Sequence, residues 1–530
     1  MKKITLNKWA ASTAGLLNKS TSAFLLLALS TGFSYGQTEK YTADWESLET
    51  YEIPEWFQDA KFGIYAHWGP VSSAFEGSDP GKFYRGWHGM MMYEDGDIVS
   101  LNGSGKPTNN FLHHQEKYGD PAEFGYKYII EQFDPSGFDA AVWAELFEKS
   151  GAKFAGPVAM HHDNFAMWDS KATRWNSMNY GGIDPSAALK EEIEKRGMKF
   201  MGSFHHAFTW KYFAPAHAHG GIDPEDYDLY TNPHAIDDDH PDKDFYVAWW
   251  AKLKEYIDTY QPDLIWFDWW LENMDEKTRL EFLAYYYNKA AEWDKEVVVA
   301  YKESTFTTST AVKDYERGRP NQPKNPTWLT DTSPGAWFYR PEAQFKSPNE
   351  LIDILVDIVA KNGIMLLNVP PNPDGAIPAD MVNLLTHMGS WLEVNGEAIY
   401  GTRPWTVFGE GPTRLPEGGH KIEKLAINYT EKDIRYVRKS DRLFYAIVMD
   451  TPKGELILKT LSTDIGALNS KILNISLLGS EETLSWTRDA RGLVIEKPDH
   501  FPTDYAHCFK ITLEGYAEND IGGAVEAHMD

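Results

Sequence analysis

The feature that most constrains the fold is a series of short apolar runs between residues 62 and 369, each followed by polar residues and then by a helical stretch. The runs are FGIYAHW at 62, FAGPVAM at 154, KFMGSFH at 199, DLIWFD at 263, VVVAY at 297 and IMLLNV at 364. Strands that alternate with helices indicate parallel βα units. No glycine-rich phosphate-binding fingerprint follows any run, so the α/β pattern favours a (β/α)8-like barrel of the TIM type over a doubly wound sheet.

The segments between the runs carry the signals of helix ends. The segments 139–151, 184–197 and 348–363 each end on glycine, as helices commonly do. Asp184 is placed to cap the second of them. The segment 243–260 is long and amphipathic, which is typical of a helix that packs against a barrel wall.

The sequence pattern changes after Trp405. Helical periodicity stops there, and short alternating runs such as DIRYVRKSDRLFYAIVMD, GELILKTL and CFKITLEG are separated by turn residues. This pattern predicts an antiparallel β-sandwich over about 406–516. We therefore expect the barrel within residues 37–405 and a terminal tail over 517–530.

The N-terminus has the features of an export signal. Lysines among the first eight residues precede the apolar run AFLLLALSTGF, which starts at Ala23, and the small residues Ser34 and Gly36 follow it. We expect residues 1–36 to be a signal peptide that is removed. The apolar run is too short to span a bilayer, so we predict an exported protein, periplasmic or extracellular, with no membrane insertion.

The chain is strongly acidic, with a formal net charge of −27. Such a surface repels nucleic acid and anionic membranes, so neither is expected as a partner. Cys508 is the only cysteine, which excludes an intrachain disulfide. The sequence contains no cofactor motif, and no cofactor is expected.

Polar residues follow each predicted strand, at the end where a barrel of this type places its reactive side chains. Asp268 is the most unusual of them, because it lies between Phe267 and Trp269, where burying a charge is costly. It could serve catalysis, cap a helix or pair with an arginine. The strand-end residues are His67, His161, His162, His205, His206, Asp268, Lys302, Glu303 and Asn368.

Longer motifs connect these positions to a known family. In order they are WFQDAKFGIYAHWGP at 56, GPVAMHHDNFAMWDSKATRWNS at 156, QPDLIWFD at 261, DYERG at 314, WLTDTSPGAWFY at 328, NGIMLLNVPPNPDGAIP at 362 and WLEVNGEAIYGTRPW at 391. On these motifs the chain, from about residue 55 to 515, resembles the α-L-fucosidases of glycoside hydrolase family 29. The resemblance implies a catalytic barrel followed by a β-sandwich. It also implies an exo-acting retaining enzyme that releases terminal α-L-fucose from oligo- or polysaccharides through a covalent glycosyl-enzyme.

The resemblance also implies roles for individual residues. Asp268 matches the family's catalytic nucleophile. Glu316 is the best positional match for the acid/base, which in the family lies in a variable loop upstream of the tryptophan matched by Trp328. Glu303, nearer to a strand end, is the second choice on barrel geometry. The residues expected to contact the sugar are His67, Trp87, His161, His162, His205, Trp266 and Trp328.

Three alternatives stay open at this point. The histidines could hold zinc, but adjacent residues on a strand point to opposite faces, so His161 and His162 are expected not to share an ion and no metal is expected. Gly86 stands where the family often has a sugar-binding glutamate, for which Glu76 could substitute, and His205 stands where a tyrosine is common. These departures make an exo-α-L-galactosidase of algal-type glycans, including sulfated ones, the alternative activity. A non-catalytic carbohydrate-binding homologue is the alternative from another class.

Overall fold

The computed structural model describes residues 41–75, 85–99, 105–341, 344–416 and 427–517. The predicted signal peptide, the predicted tail from residue 518 onward and Glu76 lie outside these residues. No helix in the described part of the chain is both long and apolar enough to cross a membrane.

Eight parallel strands form the wall of a barrel. They are β1 (Phe62–Ala66), β2 (Phe154–Met160), β3 (Lys199–Phe204), β4 (Leu264–Phe267), β5 (Val298–Tyr301), β6 (Val312–Lys313), β7 (Trp328–Thr332) and β8 (Gly363–Val369). Their spatial order is β6-β5-β4-β3-β2-β1-β8-β7. A parallel bridge between Asp314 and Leu329 brings β6 beside β7, so the barrel is nearly closed.

The sequence predicted six of these strands, and the (β/α)8-like fold is confirmed. The two strands that were not predicted, β6 and β7, are the ones that meet at the closure. β6 has only two residues, and β7 has the sequence WLTDT, so neither forms an apolar run. Both strands are nevertheless largely buried, because the barrel covers each strand on two faces.

Helices surround the barrel and pack their apolar faces on the strands. The helices of eight or more residues are Asn109–Lys117, Ala140–Lys149, Pro185–Lys195, Lys243–Tyr260, Glu276–Glu292, Pro348–Ala360 and Ala379–Asn395. The shorter ones are Trp45–Leu48, Glu55–Ala60, His88–Met91, Tyr126–Ile130, Ser177–Gly181, Thr209–Tyr212, Ala214–His219 and Tyr227–Tyr230. Asp184 caps its helix as predicted, with its side chain accepting from the backbone N–H of Ala187 at 2.8 Å.

Two antiparallel sheets follow the barrel. Their strands are β9 (Arg403–Glu410), β10 (Ile434–Ser440), β11 (Leu443–Val448), β12 (Leu456–Leu458), β13 (Ile472–Leu477), β14 (Trp486–Asp489), β15 (Gly492–Ile495) and β16 (His507–Leu513). One sheet has the order β13-β16-β11-β10-β9 and the other β12-β15-β14. Apolar residues of both sheets share one core, which agrees with the predicted sandwich. The sheet begins at Arg403, three residues before the expected start of the sandwich at 406.

A buried ionic cluster joins the barrel to the sandwich. Asp357, on the helix Pro348–Ala360, accepts hydrogen bonds from Lys361 at 2.9 Å, from Arg435 of β10 at 2.8 Å and from Arg319 at 3.3 Å. Burial alone would raise the pKa of Asp357, but the three cations outweigh it and hold the pKa well below its usual range. The contact fixes the sandwich against a helix of the barrel layer.

Candidate active site

The carboxyl ends of the barrel strands surround a cavity of about 770 Å³. Polar residues follow the last residue of most strands. Because the strands are parallel, these polar side chains lie at the same rim of the barrel. The predicted site residues that line the cavity are His67, Trp87, His161, His162, His205, Asp268 and Glu316.

Asp268 lies at the base of the cavity, directly after β4, and only 7% of its surface is exposed. Its Oδ1 accepts from Lys302 Nζ at 2.9 Å, and its Oδ2 accepts from His205 Nδ1 at 3.0 Å. His162 Nε2 lies 3.4 Å from the same Oδ2. Burial alone would raise the pKa of Asp268, but Lys302 and His205 outweigh it and hold that pKa well below its usual range. The buried carboxylate is therefore ionised.

Lys302 connects the two predicted catalytic carboxyl groups. Its ammonium donates to Asp268 at 2.9 Å and to Glu316 Oε2 at 2.7 Å. Because both carboxylates bond to one nitrogen, their bonded oxygens lie less than about 6 Å apart. That is close to the spacing of about 5–5.5 Å in retaining glycosidases, and shorter than the roughly 6.5–9.5 Å of inverting ones.

The structure does not bring Glu303 to the cavity. It follows Lys302 in sequence, but its side chain is exposed, while the backbone carbonyl of Glu303 accepts a hydrogen bond from Lys313 Nζ. Successive residues at a strand end point in different directions, and here Lys302 takes the inward one. Glu316, the first choice for the acid/base, is the glutamate beside Asp268, and the assignment of that role stays a prediction.

A second acidic pair lies beneath Lys302. Asp331, near the end of β7, accepts from Tyr65 Oη at 2.9 Å and lies 3.2 Å from Lys302 Nζ through the same Oδ2. Burial, then the charge of Asp314, raises the pKa of Asp331 well above its usual range, and burial raises the pKa of Asp314 to about 6. Asp331 Oδ1 is buried without a hydrogen-bond partner among the described residues.

The cavity histidines are arranged to recognise hydroxyl groups. His67 Nδ1 bonds to Asn368 Oδ1 at 2.8 Å, and His162 Nδ1 donates to the backbone carbonyl of His205 at 2.9 Å. Burial lowers the pKa of His162 to about 4 and that of His67 and His161 well below the usual value. These rings are therefore neutral near pH 7, and a neutral imidazole can donate one hydrogen bond and accept another.

We expect adjacent strand residues to point to opposite faces, but His161 and His162 do not. β2 ends at Met160, so both histidines lie past the strand, and their ring centroids are 4.4 Å apart. Among the described residues, two sets of side chains could hold a metal ion: His67, His161 and His205, or His162, His205 and Asp268. The ammonium of Lys302 already neutralises Asp268 at 2.9 Å, which disfavours a second cation in the latter set.

The aromatic walls differ from the prediction in two places. Trp328 opens β7, at the end of the strand far from the rim, and its Nε1 donates to the carbonyl of Lys361 at 2.9 Å. Trp266 lies beneath the rim, where its ring stacks under Lys302 at 4.8 Å and its Nε1 donates to Asp314 at 2.5 Å. Neither tryptophan lines the cavity. Trp337 does.

Several cavity residues had no assigned role in the sequence analysis. Lys302 stood among the strand-end residues without one, whereas Asp331 belongs to a strand that carries no apolar run. Trp337, Phe338 and Arg340 come from the loop after β7, and a loop conformation has no periodic signal. The cavity residues without a predicted role are Tyr65, Trp269, Lys302, Arg317, Asp331, Gly335, Ala336, Trp337, Phe338 and Arg340.

Comparisons with known proteins agree with this geometry. Residues 29–397 match the family model described as alpha-L-fucosidase, and residues 428–512 match the alpha-L-fucosidase C-terminal domain. The chain is 29% identical to tissue alpha-L-fucosidase of Rattus norvegicus, over 96% of this chain and 98% of the relative. It is 28% identical to the tissue alpha-L-fucosidase of Homo sapiens, over 89% and 92%.

Solved structures give the same result. The structure of Thermotoga maritima alpha-fucosidase in complex with fucose aligns with a TM-score of 0.68 at 25% identity, covering 89% of this chain and 100% of that one. The complex of the same enzyme with a mechanism based inhibitor aligns with a TM-score of 0.67 at 26% identity, with the same coverage.

Proposed function

The chain belongs to the α-L-fucosidase family, and we propose that it is an exo-acting retaining glycoside hydrolase that removes terminal α-L-fucosyl residues from glycans. The observation that supports the retaining mechanism is the shared ammonium of Lys302, which bonds to one oxygen of each carboxyl group, so that these two oxygens lie less than about 6 Å apart. A separation of this size leaves no room for the water molecule that an inverting enzyme places between base and sugar.

The first step follows from the charge state of Asp268. Its ionised carboxylate attacks the anomeric carbon and forms a covalent ester with the sugar, while Glu316 protonates the departing glycosidic oxygen. In the second step Glu316 removes a proton from water, the water attacks the anomeric carbon, and the ester bond to Asp268 breaks. Two displacements at one carbon release fucose with its original anomeric configuration.

The remaining cavity residues support binding of a small neutral sugar. His67, His161 and His162 are uncharged near pH 7 and offer donors and acceptors to ring hydroxyls. Trp337 and Phe338 give an apolar face, with their rings 5.5 and 5.3 Å from that of His67. Because the barrel core closes the floor of the cavity, the geometry favours a chain end over the middle of a polymer.

The stereochemistry of the product tests this proposal. We expect proton NMR of the early hydrolysis of an aryl α-L-fucoside to show α-L-fucose before mutarotation produces the β anomer. The variant Asp268→Ala should lose hydrolysis while it still binds fucose. A first product in the β configuration would contradict the retaining mechanism, and an Asp268→Ala variant with near wild-type activity would contradict the enzyme assignment in favour of a carbohydrate-binding role.

Release of L-galactose is the second candidate activity. L-Galactose is L-fucose with a hydroxyl on C6, and an apolar pocket rejects an added hydroxyl only weakly. At Gly86, where relatives often have a glutamate, a Cβ atom would lie 3.0 Å from the ring of Phe338, so an aromatic face occupies that edge of the pocket. Paired aryl glycosides decide the matter, and a higher kcat/KM for the L-galactoside would reassign the substrate.

We propose export on the pattern of the first 36 residues, with lysines, an apolar run and small residues in sequence. N-terminal sequencing of the protein recovered from culture medium and periplasm tests it. We expect a mature chain that starts near residue 37, and a protein retained in the cytoplasm with Met1 intact would contradict the proposal.

A further inference from the structure

The active-site cavity carries more positive charge than the rest of the molecule suggests. The whole chain has a formal net charge of −27. Among the described residues that line the cavity, the cations are Lys302, Arg317 and Arg340. The carboxyl groups there are those of Asp268, Glu316 and Asp331. All three carboxyl groups lie against the ammonium of Lys302, at 2.9, 2.7 and 3.2 Å from its Nζ.

The arginine nearest to the chemistry is held in a defined position. The guanidinium of Arg317 lies 4.2 Å from the centroid of Trp337, and its Nη2 donates to the carbonyl of Gly335 at 2.9 Å. The backbone of Arg317 has a φ of 47°, in the left-handed region that non-glycine residues rarely adopt. Arg317 follows Glu316, the proposed acid/base, and its side chain lines the same cavity.

The second arginine, Arg340, has no counterion among the described residues. Arg340 lines the same cavity and is half-buried. Its side chain makes no hydrogen bond or ion pair with any residue in the part of the chain that the structure describes. The charge of Lys302, in contrast, is balanced by the carboxylates of Asp268 and Glu316. The charge of Arg340 is thus available to a substrate in the cavity.

We propose that Arg317 and Arg340 form a subsite for an anionic group on the sugar that departs, either a sulfate ester or a carboxylate. The proposal rests on the proposed fucosidase activity and specifies its substrate class: fucose linked to an acidic glycan. Planar guanidinium groups match the oxygens of sulfate and carboxylate through paired N–H donors. A strongly acidic protein otherwise repels such a glycan, so a local pair of cations at the cavity is what recognition would require.

The test compares three disaccharides that share one linkage: α-L-fucosyl-galactose, the same compound with a 6-O-sulfate on galactose, and its galacturonic acid counterpart. The linkage used is the one cleaved fastest among α1→2, α1→3 and α1→4. We expect at least one of the acidic disaccharides to have a kcat/KM about ten times that of the neutral one at low ionic strength. We expect added sodium chloride to reduce the preference, because salt screens exposed charges.

Variants then assign the preference to the subsite. In Arg340→Gln and in Arg317→Gln the ratio of acidic to neutral kcat/KM should fall about five-fold or more, whereas Arg340→Lys should retain part of it. Arg442→Gln, an exposed arginine at the turn between β10 and β11, serves as the matched control with an unchanged ratio. The sulfate and carboxylate substrates distinguish the two sources of charge.

The failures are distinguishable. Hydrolysis of an aryl α-L-fucoside without a preference for any acidic disaccharide would overturn the subsite and leave the fucosidase activity in place. A preference that stays unchanged in both arginine variants would also overturn the subsite. Absence of hydrolysis for every fucoside, aryl glycosides included, would instead reject the proposed function on which the subsite rests.

Discussion

Replacing Lys302 with methionine tests the part of the site that the structure describes in most detail. The ammonium of Lys302 touches Asp268, Glu316 and Asp331 at 2.9, 2.7 and 3.2 Å. Methionine has a similar length and no charge, so Lys302→Met leaves these buried carboxyl groups without their shared cation. Burial then raises the pKa of Asp268, opposed only by the histidines beside it.

The size of the effect can be worked from these contacts. A hydrogen bond between charged groups contributes about 1.5–3 kcal/mol, which corresponds to roughly one to two pH units in the pKa of Asp268. Asp268 must be ionised to attack, and a carboxyl with a depressed pKa loses activity only as the pH falls through that pKa. Without Lys302 the pKa is higher, so the acidic limb of the kcat/KM profile moves to higher pH by about that amount. We expect kcat/KM at pH 7 to fall about 10- to 100-fold as the pair loses its alignment.

The assay is the pH dependence of aryl α-L-fucoside hydrolysis, with circular dichroism to verify folding. Lys302→Arg keeps the charge, so its acidic limb should stay near that of the wild type. Lys252→Met is the matched control, because Lys252 is also buried in the barrel layer and its Nζ donates to Asn164 at 2.6 Å, away from Asp268. A folded Lys302→Met protein whose acidic limb coincides with the wild-type limb would refute the role assigned to this lysine.

Three further predictions follow from side chains that the structure separates. Glu316→Ala should slow hydrolysis of substrates with poor leaving groups about 10²–10⁴-fold, and azide should restore turnover of an activated aryl fucoside. Glu303→Ala should stay near wild-type activity. Azide rescue of the Glu303 variant alone would reverse the acid/base assignment. Trp337→Ala should raise KM. Trp328→Phe should leave KM unchanged and lower the free energy of unfolding by about 1–3 kcal/mol, because a hydrogen bond is lost. Equal effects of the two variants on KM would contradict the positions of these tryptophans. Burial raises the pKa of Asp353 to about 8, so its contribution to stability is present at low pH and lost as pH rises from about 4 to 8; Asp353→Asn should therefore raise Tm more at pH 8 than at pH 5, and a pH-independent change would contradict this.

Most of the barrel could be predicted from the sequence, because strands that are buried on two faces are nearly continuous apolar runs. β2, with FAGPVAM, is typical, and the polar residue after such a run marks the rim. β6 and β7 lacked this signal. β6 has only two residues, and β7 has Thr330 and Asp331 among its five residues, of which Asp331 lines the cavity.

The site was predicted unevenly for a related reason. Residues fixed at strand ends, such as His67 and Asp268, could be placed because the strand determines where they lie. Trp337 and Arg340 lie on a loop, whose conformation no short-range pattern encodes. The predicted sugar contact was Trp328, which stands in the same motif as Trp337. The inward direction of Lys302, with Glu303 turned outward, depends on the backbone conformation after β5, which sequence spacing does not reveal.

Labelling by a slow substrate tests the central claim most directly. Treatment with 2-deoxy-2-fluoro-α-L-fucosyl fluoride slows the second displacement and should trap the glycosyl-enzyme, after which digestion and mass spectrometry locate the sugar. We predict one fluorofucosyl group per chain, attached to Asp268 in the peptide that contains QPDLIWFDWW. A label on any other residue would contradict the account of how this protein cleaves its substrate.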